Sequence, residues 1–373
     1  QHGVDRAADR RAYRGVNATD LWAVLYREPG TGTSLPEHMR YHMELPKLAI
    51  AALGGTVSMQ ARNAGEGVIP TVSGETQLAS VPHLATFAQV TVETLGLLPS
   101  ASLDFGFLLT VLSWAQLQIK QGAVGVVLTQ GTDTLEETAT FFDYLWPHDA
   151  PLVLTGAMRS AAQPGAEGPA NLLDACHVAL ARNSQKRGVQ VVMNGEIHQA
   201  SSVRKTDSMA LQAFTSPVVG PAGLIMEDRV HYLRAPDQRK VLPLPHKTTQ
   251  KVAMLEASLS ADTLLLENIL ALGYDGLVIA GFGAGHVSQS WATVIEHIAE
   301  RIPVIVATRT GSGSTAQASY GFHGGEMDLM RKGASMAGFL CPRKARVLLW
   351  LLLGCQRQHE LSLYLKSESR IQN

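Results

Sequence analysis

The sequence predicts an α/β protein. A larger N-terminal domain with a mostly parallel sheet flanked by helices is followed by a smaller α/β C-terminal domain. Three observations predict it. Short, continuous apolar runs alternate with segments of helical periodicity, the pattern of strands buried on both faces. Each run leaves through glycine and small polar residues. The alternation breaks at a stretch rich in proline and charge, "LRAPDQRKVLPLPHKTTQ" (233–250), and then restarts. At 373 residues the chain also exceeds the size at which one core usually stops growing.

Residues 1–46 mix Arg, Asp, Gly and Pro without periodicity and read as an irregular extension. They begin with Gln and lack an apolar h-region, which does not fit a secretory signal. Met43, followed by "ELPKLAIAALGG", reads as a natural start running into a strand, so residues 1–42 are expected to be a non-native addition or a flexible arm. The N-terminal domain is assigned to 47–235. Its strands are "LAIAAL" (48–53) leaving through Gly54-Gly55-Thr56, "VGVVLT" (124–129) leaving through Gly131-Thr132-Asp133, "PLVLT" (151–155) leaving through Gly156-Ala157, and "VQVVMN" (189–194). Helical periodicity covers 108–121, 135–146 and 169–182. Residues 236–250 are the linker. The C-terminal domain, 251–373, repeats the pattern with strands in "KVAMLEA", "DGLVIAG" and "PVIVAT" and helices near 262–272 and 288–300. "ARVLLWLLLGC" (345–355) is too short to span a bilayer and reads as a core helix.

Composition narrows the function. With 46% hydrophobic and 17% charged residues the chain has ample material for a core, and a net charge of -1 offers no field for nucleic acid or an anionic membrane. The three cysteines are far apart in apolar surroundings and read as buried free thiols of a reducing compartment, hence a cytoplasmic location. The thirteen histidines are scattered and form no HExxH motif, so no metal site is expected.

The chemistry concentrates at strand exits, where open α/β sheets bind ligands. In "GAVGVVLTQGTDTLEETATFF" (122–142) the turn presents a hydroxyl, a carboxylate and a second hydroxyl. Thr134 with Glu137, and Asp133 with Glu136, have the capping-box spacing, so at least one of them is expected to cap the helix. One cap leaves Thr132 unexplained. Beside a helix N-terminus its hydroxyl sits near N–H groups that can receive a carboxylate or a developing oxyanion, and Asp133 can bond a cation. "AALGGTVSM" (51–59) is a second such exit and presents Thr56. Threonine is a poor nucleophile until a base or a cation activates it, so a lysine is required. "SSVRKTDSM" (201–209) offers Arg204 and Lys205, whose bland reading is a solvated turn.

Taken together, these stretches resemble the bacterial-type L-asparaginase/glutaminase family. "LGGTVS" is similar to its first threonine motif and "VVLTQGTDTLEETA" to its second. "LTGAMR", "GAEGPANL", "RGVQVVMNGEI" and "VRKT" follow in the family's order, and "GYDGLVIAGFGAGH" and "KARVLL" extend the resemblance through the smaller domain, over 47–365 in all. The resemblance implies hydrolysis of L-asparagine to L-aspartate and ammonia through a threonine acyl-enzyme, with side activity on glutamine and without a cofactor or metal. It implies Thr56 as primary nucleophile, and Thr132, Asp133 and Lys205 as a triad in which Lys205 activates the Thr132 hydroxyl. Asp133 orients Lys205 or meets the substrate's α-amino group. Which threonine attacks first stays open. Ser100 matches the serine that binds the α-carboxylate, and Gly55, Gly131 and Ala157 line the pocket. The partners implied are a small amino-acid amide and further copies of the chain, in a dimer or tetramer whose site lies near the seam between one large domain and its neighbour's small domain.

The chain departs from the family pattern in places. Residues 57–80 contain no tyrosine, although Gly65 and Gly67 suit a mobile lid and Tyr320 offers a hydroxyl elsewhere. Ala101 follows Ser100 where many relatives carry a polar amide, and His286 stands where some have Asn. No clear counterpart is found for the second-domain glutamate that completes the pocket across the dimer. These departures bear on affinity and the Asn-to-Gln ratio. A nicotinamide-binding reading of "GFGAGH" (281–286) fails because His286 occupies the sixth position, which needs a small residue. A tRNA-linked amidotransferase subunit would carry a folded extra N-terminal domain, which residues 1–46 do not resemble. The same fold serving only to bind an amino acid, without catalysis, would not need the paired threonine and lysine.

Overall fold

The computed structural model describes residues 44–55, 59–61 and 68–368. Thr56, the loop glycines Gly65 and Gly67, and residues 1–42 fall outside the described residues.

Eight strands form the larger sheet. Across it run Arg229–Tyr232, Gly223–Met226, Glu196–Gln199, Val189–Met193, Leu152–Thr155, Ala123–Thr129, Lys47–Ala52 and Gln89–Thr94. The five from Val189–Met193 to Gln89–Thr94 are parallel, and the other three add antiparallel at one edge. The central strands Lys47–Ala52 and Ala123–Thr129 are the uninterrupted apolar runs, because helices cover both of their faces. The smaller sheet orders Val252–Glu256, Gly276–Gly281, Val304–Thr308 and Ser335–Met336, all parallel.

The helices start where side chains satisfy their free N–H groups. Phe105–Lys120 begins three residues earlier than its periodicity predicts, because the Asp104 carboxylate accepts a 2.7 Å bond from Phe107 N. The helix expected near 262–272 shrinks to Leu264–Asn268, where the Asn268 amide donates back to Leu264 O at 2.8 Å and competes with the backbone ladder.

The core crosses the sequence boundary. The helix Pro342–Gly354, which the sequence marks as a core helix, packs between Leu135–Leu145 and the smaller sheet. Its Val347, Leu348 and Trp350 share one apolar cluster with Phe141 and Phe142 of the large sheet's cover and with Val278 and Ile305 of the small sheet. The small sheet's other face closes on Trp291, Ile295 and Ile298 of Gln289–Ala299. The three cysteines are free and buried. Among the described residues no helix is long and apolar enough to cross a membrane.

Candidate active site

Two strand exits meet at the carboxyl edge of the large sheet. After Lys47–Ala52 the chain passes through Gly54 and Gly55 at φ 105° and 87°, a region that side chains rarely adopt. Contact also demands glycine here: a Cβ on Gly55 would lie 2.0 Å from Gly131 N, and one on Gly131 would lie 2.7 Å from Ser100 Oγ. The exit that leads to Thr56 is therefore packed backbone to backbone against the exit that carries Thr132. The third exit closes the same edge. A Cβ on Gly156 would meet Gln130 O at 2.6 Å, and Ala157 is fully buried beside it. Asn171 holds this exit from behind, donating to Gly156 O and accepting from Asn194 N, both at 2.9 Å.

The turn itself is one 3₁₀ turn, Thr132–Thr134, leading into Leu135–Leu145. The expected capping bond does not form. Thr134 Oγ1 instead donates to Ser100 O at 3.0 Å and accepts from Gln130 Nε2 at 3.1 Å. The extra turn places Thr134 among buried polar groups of neighbouring loops, which compete for its hydroxyl. Ser100 Oγ accepts from Asp133 N at 3.2 Å, which ties the predicted carboxylate-binding serine to the predicted triad.

Lys205 completes the cluster from a different element. The two-residue strand Arg204–Lys205 pairs antiparallel with Phe214–Thr215 and lies outside both main sheets. Lys205 Nζ donates to Thr132 Oγ1 at 2.9 Å and to Asp133 Oδ1 at 2.7 Å. The lysine side chain is 16% exposed and that of Asp133 is 69% exposed, so the ammonium reaches from shelter towards an open carboxylate. Thr132 is buried. Successive residues of a strand face opposite ways. Arg204 therefore turns away from Thr132 and is buried, donating to Gly311 O and, at 3.2 Å, to Phe339 O. The solvated-turn reading of that pair is thus corrected.

An ammonium within hydrogen-bond reach of a threonine hydroxyl stabilises negative charge that develops on its oxygen. Among the described residues no group of three or more His, Cys, Asp and Glu is placed to hold a metal. Of the predicted residues, the structure brings together Gly55, Ser100, Gly131, Thr132, Asp133 and Lys205, with Ala157 in the neighbouring exit.

Sequence reasoning missed two carboxylates. Glu136, read only through its spacing, is buried and accepts from Lys205 N at 2.6 Å. The signal was there, since a glutamate on a buried helical face needs a partner. At the small sheet's edge, Glu326 is fully buried, with Oε1 accepting from Ser319 N and Tyr320 N at 2.7 Å each. Burial raises its pKa, but the N–H groups of Tyr320 and Ser319 outweigh that and hold it below the usual carboxylate range. His286 Nε2 lies 3.3 Å from Glu326 Oε2, and the Tyr320 ring stands edge-on to His286 with centroids 4.7 Å apart. Tyr320 thus sits with His286 and Glu326 beside the smaller sheet, outside its strands.

The asparaginase N-terminal family model matches residues 47–238, and the glutaminase/asparaginase C-terminal model matches residues 251–361. The probable periplasmic L-asparaginase of Haemophilus influenzae is 34% identical over 318 residues, spanning 83% of this chain and 89% of its own length. L-asparaginase 2 of Escherichia coli is 32% identical over 319 residues, spanning 83% of this chain and 90% of its own. The crystal structure of a probable cytoplasmic L-asparaginase from Campylobacter jejuni aligns with a TM-score of 0.77 at 28% identity, covering 87% of this chain and 99% of that one.

Proposed function

The chain belongs to the asparaginase/glutaminase family, and from that premise we propose that it hydrolyses L-asparagine to L-aspartate and ammonia, with side activity on L-glutamine. The observation that carries the proposal is the Lys205 ammonium, 2.9 Å from the Thr132 hydroxyl and 2.7 Å from the Asp133 carboxylate, at an edge where Gly55 brings the Thr56 exit into contact.

In this reading the Thr56 oxygen attacks the side-chain amide carbon. The amide nitrogen takes up the proton lost by the threonine hydroxyl and leaves as ammonia, and an ester to threonine remains. Water then attacks the ester carbon, releasing aspartate and returning the proton to the threonine oxygen. Thr132, held by Lys205, and Asp133 face the same substrate. Ser100 and the exits at Gly131 and Ala157 bind its α-carboxylate end and line the pocket. Acid-trapping the intermediate and mapping the acylated peptide tells which threonine attacks; an ester on Thr132 rather than Thr56 reverses the assignment.

We further assign the domains to 47–235 and 251–373, supported by the absence of strand or helix from 235 to 251. Self-association as a dimer or tetramer is supported by an apolar surface on the small domain, where Leu264, Leu265 and Leu272 are each more than half exposed. A monomeric mass by light scattering would refute it. A cytoplasmic location is supported by three buried thiols that form no disulfide.

The deciding experiment measures ammonia release from L-Asn and L-Gln in parallel, with the wild type and Thr132→Ala. Release from L-Asn that falls about a thousandfold in the variant is the expected result. Folded wild type that turns over neither amide would sink the proposal.

A further inference from the structure

Lys205 stands on a strand of only two residues, too short to hold a side chain in place through its own pairing. The small domain's helix Pro342–Gly354 begins beside it with two consecutive cations, and both act on the segment that carries the lysine. Arg343 Nε donates to Glu136 Oε1 at 2.7 Å, while the other oxygen of that carboxylate accepts from Lys205 N at 2.6 Å. Lys344, only 1% exposed, donates to three backbone carbonyls, Ala200 O at 2.6 Å, Ser201 O at 3.0 Å and Val203 O at 2.6 Å. An ammonium has three N–H donors, and these carbonyls occupy all three. A buried cation is costly unless its donors are met, so the backbone from 200 to 203 is fixed as firmly as Lys344 is buried. Arg204 closes the arrangement in the reverse direction, its guanidinium reaching Gly311 O and Phe339 O of the small domain.

We propose that Lys344 and Arg343 are positioning residues for Lys205: the small domain sets the catalytic ammonium by gripping the backbone on which it is mounted. Lys344 fixes the chain two to five residues ahead of it, and Arg343 fixes its own N–H through Glu136. Neither side chain touches Thr132 or Asp133, so the effect is one of placement, and it rests on the hydrolase reading above. Displacing a reacting group by about 1 Å costs about a hundredfold in rate.

The test compares Lys344→Met, Arg343→Gln and Arg343→Lys with the wild type. Each protein is measured for kcat and KM on L-Asn, for melting temperature, and for amide hydrogen exchange across 200–206. Lys344→Met is expected to lower kcat about a hundredfold with KM changed less than about threefold, and Arg343→Gln to lower it about tenfold. Arg343→Lys is expected to recover most of that loss. Exchange across 200–206 is expected to rise in the first two variants. Arg343 is 45% exposed at its side chain, so its variants remain decisive if Lys344→Met does not fold. Wild-type kcat in folded Arg343→Gln, or a loss that merely follows the folded fraction, would overturn the proposal. If the wild type itself releases no ammonia, the hydrolase reading falls, and unchanged exchange in the variants would then overturn the grip independently.

Discussion

The parallel strands of the two main sheets end in similar turns yet are built for different things. At the large sheet's edge, Gly55 and Gly131 lie backbone to backbone, and the threonine that follows Gly131 bonds an ammonium brought in by a separate strand pair. At the small sheet's edge, Gly276–Gly281 leaves through "FGAGH", and Val304–Thr308 again ends on a buried threonine. There Thr308 Oγ1 donates to Gly283 O at 2.5 Å and accepts from Thr310 N at 3.2 Å, so its hydroxyl is consumed in fastening its own loops. A glycine exit with a threonine is therefore common property of this architecture. What sets the large sheet's threonine apart is a cation from outside the sheet, 2.9 Å from its hydroxyl.

The largest effect should come from removing that cation. Lys205→Met is expected to lower kcat for L-Asn about a thousandfold while leaving the melting temperature within a few degrees, since the strand pairing and the Glu136 bond to Lys205 N are backbone contacts. Thr308→Ala is expected to do the reverse, costing about 1.5 kcal/mol in denaturant unfolding and less than about threefold in kcat. A Thr308 variant that loses activity as deeply as Lys205→Met would erase the contrast between the edges.

The glycines sharpen the same contrast. Gly55 and Gly283 both have positive φ, at 87° and 45°. A methyl at Gly55 would meet Gly131 N at 2.0 Å, whereas one at Gly283 would meet nothing within 4 Å. Gly55→Ala should therefore combine backbone strain with a clash against main chain and cost about 4 kcal/mol. Gly283→Ala should cost about 1 kcal/mol, from the left-handed backbone alone. Equal losses in urea unfolding would mean that the contact between the two exits is not what requires glycine.

How much of this was legible follows from what each feature depends on. The strands at 47–52, 123–129 and 276–281 were readable because burial on both faces writes an unbroken apolar run into the sequence. The strand Gln89–Thr94 was not, because it lies at the sheet's edge and none of its residues is fully buried. Thr132 and Asp133 could be singled out because one cap did not account for three polar residues. The capping spacing itself misled, since it cannot tell a glutamate that turns back to its own helix from Glu136, which reaches a strand 69 residues away in sequence. Lys205 was one of two adjacent cations until strand alternation separated them, and Arg204 pointed the other way. Lys344 was not singled out within "KARVLL", because its acceptors are backbone carbonyls that no side-chain pattern announces.

The smallest of the three effects tests whether the polar interior belongs to the large sheet alone. His198, on the antiparallel strand Glu196–Gln199, is fully buried, with Nδ1 2.9 Å from Ser216 Oγ. Burial pushes its pKa down to about 4, with the charges of Lys344 and Arg234 acting in the same direction. The Glu196 carboxylate stands 3.3 Å from Nε2 but is not aligned to accept a hydrogen bond from it, so it does not rescue the imidazolium. The folded state therefore prefers the neutral ring, whereas the unfolded chain takes up a proton near the ordinary 6.5. Between those values the unfolded state binds more protons, so stability is full above pH ~6.5 and is lost as pH falls towards ~4, by about 3 kcal/mol in all. His198→Gln should flatten that slope and leave the rest of the acid profile unchanged. Hydrogen exchange at pH ~4.5 should rise first across 196–216, while the strands Gly276–Gly281 and Val304–Thr308, which carry no histidine, keep their protection. Simultaneous opening of both sheets would show that the shared helix Pro342–Gly354 couples them more tightly than their polar interiors divide them.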